Sequence, residues 1–168
     1  MGTEAQAADW ERYCLIPRVL IFPVDEKGRV LLLKGAKDKK IWANLWNGPG
    51  GHIERGESVL QACRRELLEE TGLQAEILIH CAQIIVDTGN NPGITFCVFK
   101  AKGLSGDVVP SSEGELEWFT VNQALKLSLV DDLYTLLPLV MRHRRTEKPF
   151  WGHYSYDHNN QLIMRFTR

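Results

Sequence analysis

Several signals that mark whole classes of protein are missing from this sequence. Its four cysteines, Cys14, Cys63, Cys81 and Cys97, form no CxxC pair and no His/Cys cluster at zinc spacing, which excludes a zinc finger or a redox dithiol. Each lies in an apolar run, where a reduced cysteine behaves as a small hydrophobe. No apolar stretch approaches the roughly 20 residues of a membrane span. The first residues, MGTEAQAADWERY, lack the cationic and apolar segments of a signal peptide. The expectation is therefore a cytoplasmic protein with no membrane partner. Neither charge sign is in excess: 20 Lys plus Arg against 21 Asp plus Glu give a formal net charge of −1. Without a broad basic field, duplex nucleic acid is not an expected partner. Repeats, low-complexity tracts and linkers are absent too.

What is present is the balance of a soluble globular protein: 168 residues, 44% hydrophobic and 24% charged. That length suits one domain. Residues 1–168 are expected to form it, the first dozen or so as a flexible or peripheral extension.

Residues 15–24 and 29–34 are apolar and β-branched, joined by the turn Asp25-Glu26-Lys27-Gly28. Residues 35–51 read as a loop. A helix is expected from about Ser58 to Glu70, begun by Ser58 or Glu57, with Val59, Cys63 and Leu67 at helical spacing and Thr71-Gly72 as the stop. Strands follow at 76–87 and 94–101, then a polar loop around Glu113 and a short strand ending at Trp118-Phe119. Residues 131–145 pattern as a second long helix containing Pro138, and 150–167 as a β-hairpin. The class is α+β.

The first helix carries the chemistry. Residues three and four apart share a helix face, so Glu66, Glu69 and Glu70 are expected to converge, with Glu57 nearby. Such carboxylates repel one another unless solvent or a hard divalent cation such as Mg²⁺ intervenes. Spacing separates these readings. Gly51, Glu57, Arg65, Glu66, Leu67, Glu69, Glu70, Gly72 and Leu73 occupy all nine defined positions of the Nudix box.

The chain thus resembles the Nudix hydrolases, which cleave nucleoside diphosphates linked to another moiety. The resemblance implies an α/β/α sandwich with a mixed β-sheet. It also implies that Glu66, Glu69 and Glu70, with the Gly50 carbonyl, hold Mg²⁺ or Mn²⁺ against a pyrophosphate. Arg65 would orient the glutamates, with Glu57 and Gly51 behind them. Glu66, Glu69, Arg65 and Glu113 are the candidate catalytic residues. Glu113 is a candidate fourth ligand or base, and the box alone does not name the general base.

Outside the box the chain resembles the MutT-type branch, which acts on oxidised purine nucleoside triphosphates such as 8-oxo-dGTP. Trp46-Asn47-Gly48 precedes Pro49-Gly50-Gly51, with Asn47 at the position that reads the purine edge. Asp131-Asp132 falls where paired aspartates bind the base; adjacent carboxyls sharing one proton present a donor and an acceptor, although Asp at a helix start is also an ordinary cap. Phe150 to Tyr154 resembles that branch's closing hairpin. Leu129 stands where the branch stacks a tryptophan, leaving Trp42 or Trp46 as candidate replacements. Lys37, Lys39 and Lys40 are candidate phosphate contacts, Lys37 foremost.

The expected reaction is Mg²⁺-dependent hydrolysis of a nucleoside triphosphate to the monophosphate and pyrophosphate. The expected partner is a small nucleotide, and the chain a monomer or homodimer. The alternatives are hydrolysis of ADP-ribose or an NDP-sugar, and a nucleotide-binding module without turnover.

Overall fold

A computed structural model describes residues 11–37, 41–109 and 113–167. The elements, in chain order, are strands β1 (Leu15–Pro23), β2 (Val30–Gly35) and β3 (Trp46–Asn47), helix α1 (Val59–Thr71), strands β4 (Gln74–Val86), β5 (Gly93–Ser105) and β6 (Gly114–Phe119), helices α2 (Val121–Ala124) and α3 (Leu133–Arg142), and strands β7 (Phe150–Tyr156) and β8 (Leu162–Thr167).

Two sheets result. The larger runs β1-β5-β4-β7-β8 and the smaller β3-β2-β6. In the larger sheet β1 is parallel to β5 and β4 to β7, while β4–β5 and β7–β8 are antiparallel, so it is mixed. Helices cover both faces. Ala62, Cys63 and Leu67 of α1 pack with Val19, Ile21, Leu31 and Phe99. On the other face Leu133, Leu136, Leu137 and Val140 of α3 pack with Leu20, Phe22, Ile84 and Val98. Burial on both faces explains why β1 and β2 read as continuous apolar runs rather than alternating ones.

α1 begins where expected. Ser58 caps it, its side chain accepting from the Gln61 N–H while Gln61 accepts from the Ser58 N–H. Gly72 ends it in the left-handed conformation at φ 76°. Other elements differ from expectation. β1 and β2 are joined by the Asp25–Arg29 turn but enter different sheets. The 35–51 loop contains β3, because Trp46 and Asn47 pair with Lys34 and Leu33 of β2. β4 and β5 extend to Gln74 and Ser105. A short helix, α2, follows β6, capped by Thr120 and Gln123. α3 is shorter than 131–145, running only from Leu133 to Arg142, and His143 is already extended. Among the described residues no helix is long and apolar enough to cross a membrane, and all four cysteines are free.

The free edge of β1 is covered by the glycine-rich segment. The Val19 N–H donates to the Gly51 carbonyl (2.9 Å) and the Ile21 N–H to the Pro49 carbonyl (2.8 Å). That pairing fixes the loop in front of α1.

Candidate active site

Two glycines let the loop reach the helix. Gly50 has φ 153°, and a Cβ there would collide with the Val19 carbonyl. A Cβ on Gly51 would stand 2.5 Å from Glu66 Oε1. With no side chains in the way, the carboxylates of α1 approach the loop backbone. The Gly50 N–H donates to Glu70 Oε2 at 2.8 Å, and Glu66 lies against Gly51. Glu66 and Glu70, one turn apart, are both buried.

Arg65 ties the acidic groups together. Its Nε and Nη2 grip the two oxygens of Glu57 at 2.6 and 2.9 Å. Its Nη1 donates to Glu66 at 2.8 Å and Glu69 at 3.2 Å, and Nη2 also reaches the His52 carbonyl at 3.0 Å. The Arg65 guanidinium, followed by the Glu54 amide, pushes the Glu57 carboxyl down to about 2. The same bonds to Glu57 and Glu66 raise the pKa of Arg65.

The three carboxylates converge less than their helical spacing suggests. Among the described residues no three acidic, imidazole or thiol groups form a ready-made cation cluster. The carboxylates divide between two donors, Glu70 at the Gly50 amide and Glu66 with Glu69 at Arg65 Nη1. Glu69 is 59% exposed. Gly50, expected to offer its carbonyl, engages the cluster through its N–H. The donor set still fits a hard divalent ion, being all oxygen and carried on one helix face with two members buried against a loop that excludes side chains.

Glu113 lies beside β6, its carbonyl accepting from the Ala36 N–H at 3.0 Å. Lys37 is exposed in the loop after β2; Lys39 and Lys40 lie outside the described residues.

A cavity of about 260 Å³ opens beside the loop on the α3 side of the large sheet. Gly50 and Gly51 line it, together with Trp42, Asn47, Phe96, Asp131, Asp132 and Tyr154. Asn47 Oδ1 accepts from the Gly48 N–H at 2.8 Å, so its NH₂ group remains to donate. Asp132 is 9% exposed and, although at the cap position of α3, makes no side-chain cap bond. Burial pushes its carboxyl up to about 7, the Asp131 charge adding to the effect. Tyr154, 2% exposed, has a buried hydroxyl with no partner among the described residues. Burial raises its pKa, and the Asp132 charge adds to that.

Trp46 is placed otherwise than expected. It is buried, sits edge-on to Phe119 at 5.0 Å and bridges Leu129 through its backbone. Its β3 register turns the indole into the core, and of the two tryptophans Trp42 is the one that lines the cavity, with Phe96, Tyr154 and Tyr156. Two cavity residues, Arg18 and Tyr154, were not singled out by sequence. A signal for Arg18 exists: it is the one charge in the otherwise apolar LIPRVLIFP strand.

Comparison with known proteins agrees with this architecture. The NUDIX domain family profile matches residues 15–140. The chain is 30% identical to an oxidized purine nucleoside triphosphate hydrolase of Danio rerio, over 83% of this chain and 86% of that one. It is also 30% identical to the Mus musculus protein of the same description, over 80% and 83%. The MutT protein of Bacillus halodurans superposes with a TM-score of 0.71 at 26% identity, covering 90% of this chain and 97% of that one. With the box residues gathered on α1 and its glycine loop, and the family profile spanning most of its length, this chain belongs to the Nudix family.

Proposed function

We propose that the protein is a Mg²⁺-dependent pyrophosphohydrolase that converts a purine nucleoside triphosphate to the monophosphate and pyrophosphate, an oxidised purine such as 8-oxo-dGTP being the favoured substrate. One observation carries this reading. A single cavity is lined by the Asp131–Asp132 pair with Asn47 and also by Gly50 and Gly51, against which Glu66 and Glu70 lie. The similarity to two oxidized purine nucleoside triphosphate hydrolases supports it.

Glu66, Glu69 and Glu70, with the Gly50 backbone, would hold the ion, and Glu113 is a further candidate ligand or base. When bound, Mg²⁺ neutralises phosphate charge and lowers the pKa of a coordinated water. Arg65 holds Glu66 and Glu69 in orientation while Glu57 anchors Arg65 from behind. At the base end a protonated Asp132 donates, Asp131 accepts, and the Asn47 NH₂ donates to the purine edge. The Trp42 ring covers the base.

The Asn47→Ala variant tests the base-reading half. Activity on 8-oxo-dGTP should fall far more than activity on pyrimidine triphosphates, since a site built on hydrogen bonds discriminates by them. A uniform loss over all bases would contradict it. Separation of the products tests the other half: pyrophosphate, rather than inorganic phosphate, must appear.

A further inference from the structure

Three buried side-chain nitrogen or oxygen atoms lack a hydrogen-bond partner among the described residues: Arg18 Nε, His143 Nε2 and Tyr154 Oη. Arg18 and Tyr154 line the same cavity. Buried polar atoms are nearly always satisfied, so two orphans in one cavity point to a partner that arrives with a ligand. Arg18 makes the stronger demand because a guanidinium stays charged. It makes no ion pair among the described residues, and burial alone lowers its pKa, with no carboxylate offsetting the cost. Arg18 as a whole is half-buried, with its Nε sealed from solvent at the cavity wall.

Its location narrows the ligand group. Arg18 bridges His52 through the backbone, and its neighbour Val19 is bonded to Gly51, the residue against which Glu66 lies. Across the sheet Arg18 is in register with Phe96, whose ring meets Tyr154 edge-on at 6.1 Å. Arg18 therefore stands on the loop side of the cavity, beside the His52 bridge and the Val19–Gly51 bond that hold the loop in front of α1. A nucleotide with its base on the aspartates and its pyrophosphate at α1 places its sugar and first phosphate there.

We propose that Arg18 binds the α-phosphoryl group, the one that stays on the nucleoside when pyrophosphate departs. Phosphate suits the site because a guanidinium presents a planar fork of donors to its oxygens. This assignment rests on the nucleotide reading of the cavity. It makes the protein a binder of the nucleoside monophosphate product, independently of any metal ion.

The experiment is calorimetric titration of the full chain in EDTA with 8-oxo-dGMP and, separately, 8-oxo-2′-deoxyguanosine. Arg18→Met and Arg18→Lys are compared with wild type. The expected result is that Arg18→Met weakens the monophosphate by roughly 10- to 100-fold, the loss of a charged hydrogen bond. The nucleoside is expected to bind as before, and Arg18→Lys to recover part of the loss. Equal monophosphate affinity in wild type and Arg18→Met would overturn the role of Arg18 alone. An equal loss for nucleoside and monophosphate in Arg18→Lys would assign Arg18 to the base or to the cavity wall and overturn it too. Failure of wild type to bind either compound would overturn the nucleotide reading itself.

Discussion

The Glu66 carboxylate lies so close to the Cα of Gly51 that a methyl group there would stand 2.5 Å from Oε1. A helix residue and a loop residue fifteen positions apart in sequence are thus mutually fitted, through β1, which holds the loop by the Val19–Gly51 bond.

Gly51→Ala therefore acts on the site more than on the fold. The obstacle is the end of a flexible side chain, so Glu66 swings aside at a cost of about 1 kcal/mol or less. The displaced carboxylate no longer faces the loop. Activity is expected to drop by roughly 10- to 100-fold with Tm lowered by only a few degrees. Steady-state kinetics and a thermal melt on the same preparation measure both.

Glu69→Gln separates chemistry from stability in a different way. The side chain is exposed and, among the described residues, bonded only at 3.2 Å to Arg65, a contact of the kind worth little in water. Stability is expected to stay within about 0.5 kcal/mol of wild type. Turnover should be abolished while nucleotide binding remains detectable. Wild-type rates in this variant would remove Glu69 from the metal ligands.

Asp132 sets a pH dependence of opposite sign to that of Glu57. The Asp132 carboxyl is raised to about 7 from an ordinary 3.8, so the folded protein holds a proton that the unfolded chain releases. Its contribution is full below pH 3.8 and is lost as pH rises through 7. Glu57, lowered to about 2 from 4.5, contributes above pH 4.5 and loses that contribution as pH falls toward 2. Denaturant melts between pH 4 and 8 should show a downward slope for wild type that Asp132→Asn removes. Affinity for an oxidised purine monophosphate should fall over the same rise, because the aspartate stops donating.

Tyr154→Phe deletes a hydroxyl that has no partner among the described residues. Removing an unsatisfied buried donor is neutral or stabilising, so Tm is expected to hold or rise. Ligand affinity is expected to fall by roughly 5- to 10-fold, the worth of one neutral hydrogen bond. A melt and a binding isotherm check the two directions together; a fall in Tm with unchanged affinity would make the hydroxyl structural.

These residues also show where sequence reading succeeds and where it stops. α1, its Ser58 and Gly72 ends and the box spacing are relations within about twenty residues of chain, and local spacing expresses them. Asn47 and Asp131-Asp132 were found by resemblance, and the structure brings them to one cavity from β3 and the start of α3. Trp46 turns away from the cavity because its direction depends on pairing with Lys34 and on the Phe119 ring, contacts between strands far apart in sequence. Helical spacing shows the shared face of Glu66, Glu69 and Glu70 but not the donors that divide them, Arg65 Nη1 for Glu66 and Glu69 and the Gly50 amide for Glu70. Arg18 and Tyr154 acquire their meaning only by burial, which a single sequence does not display. The same holds for the separation of β1 and β2 into two sheets.

The central claim is a purine-reading cavity joined to a Nudix metal box, and one measurement addresses both halves. Purified protein with Mg²⁺ is offered 8-oxo-dGTP, the four ordinary dNTPs, ADP-ribose and an NDP-sugar, with kcat/KM and phosphorus products determined for each. The account predicts kcat/KM for 8-oxo-dGTP at least about tenfold above dGTP, with 8-oxo-dGMP and pyrophosphate as products. Preference for ADP-ribose or the NDP-sugar, or no turnover of any nucleotide, would contradict it.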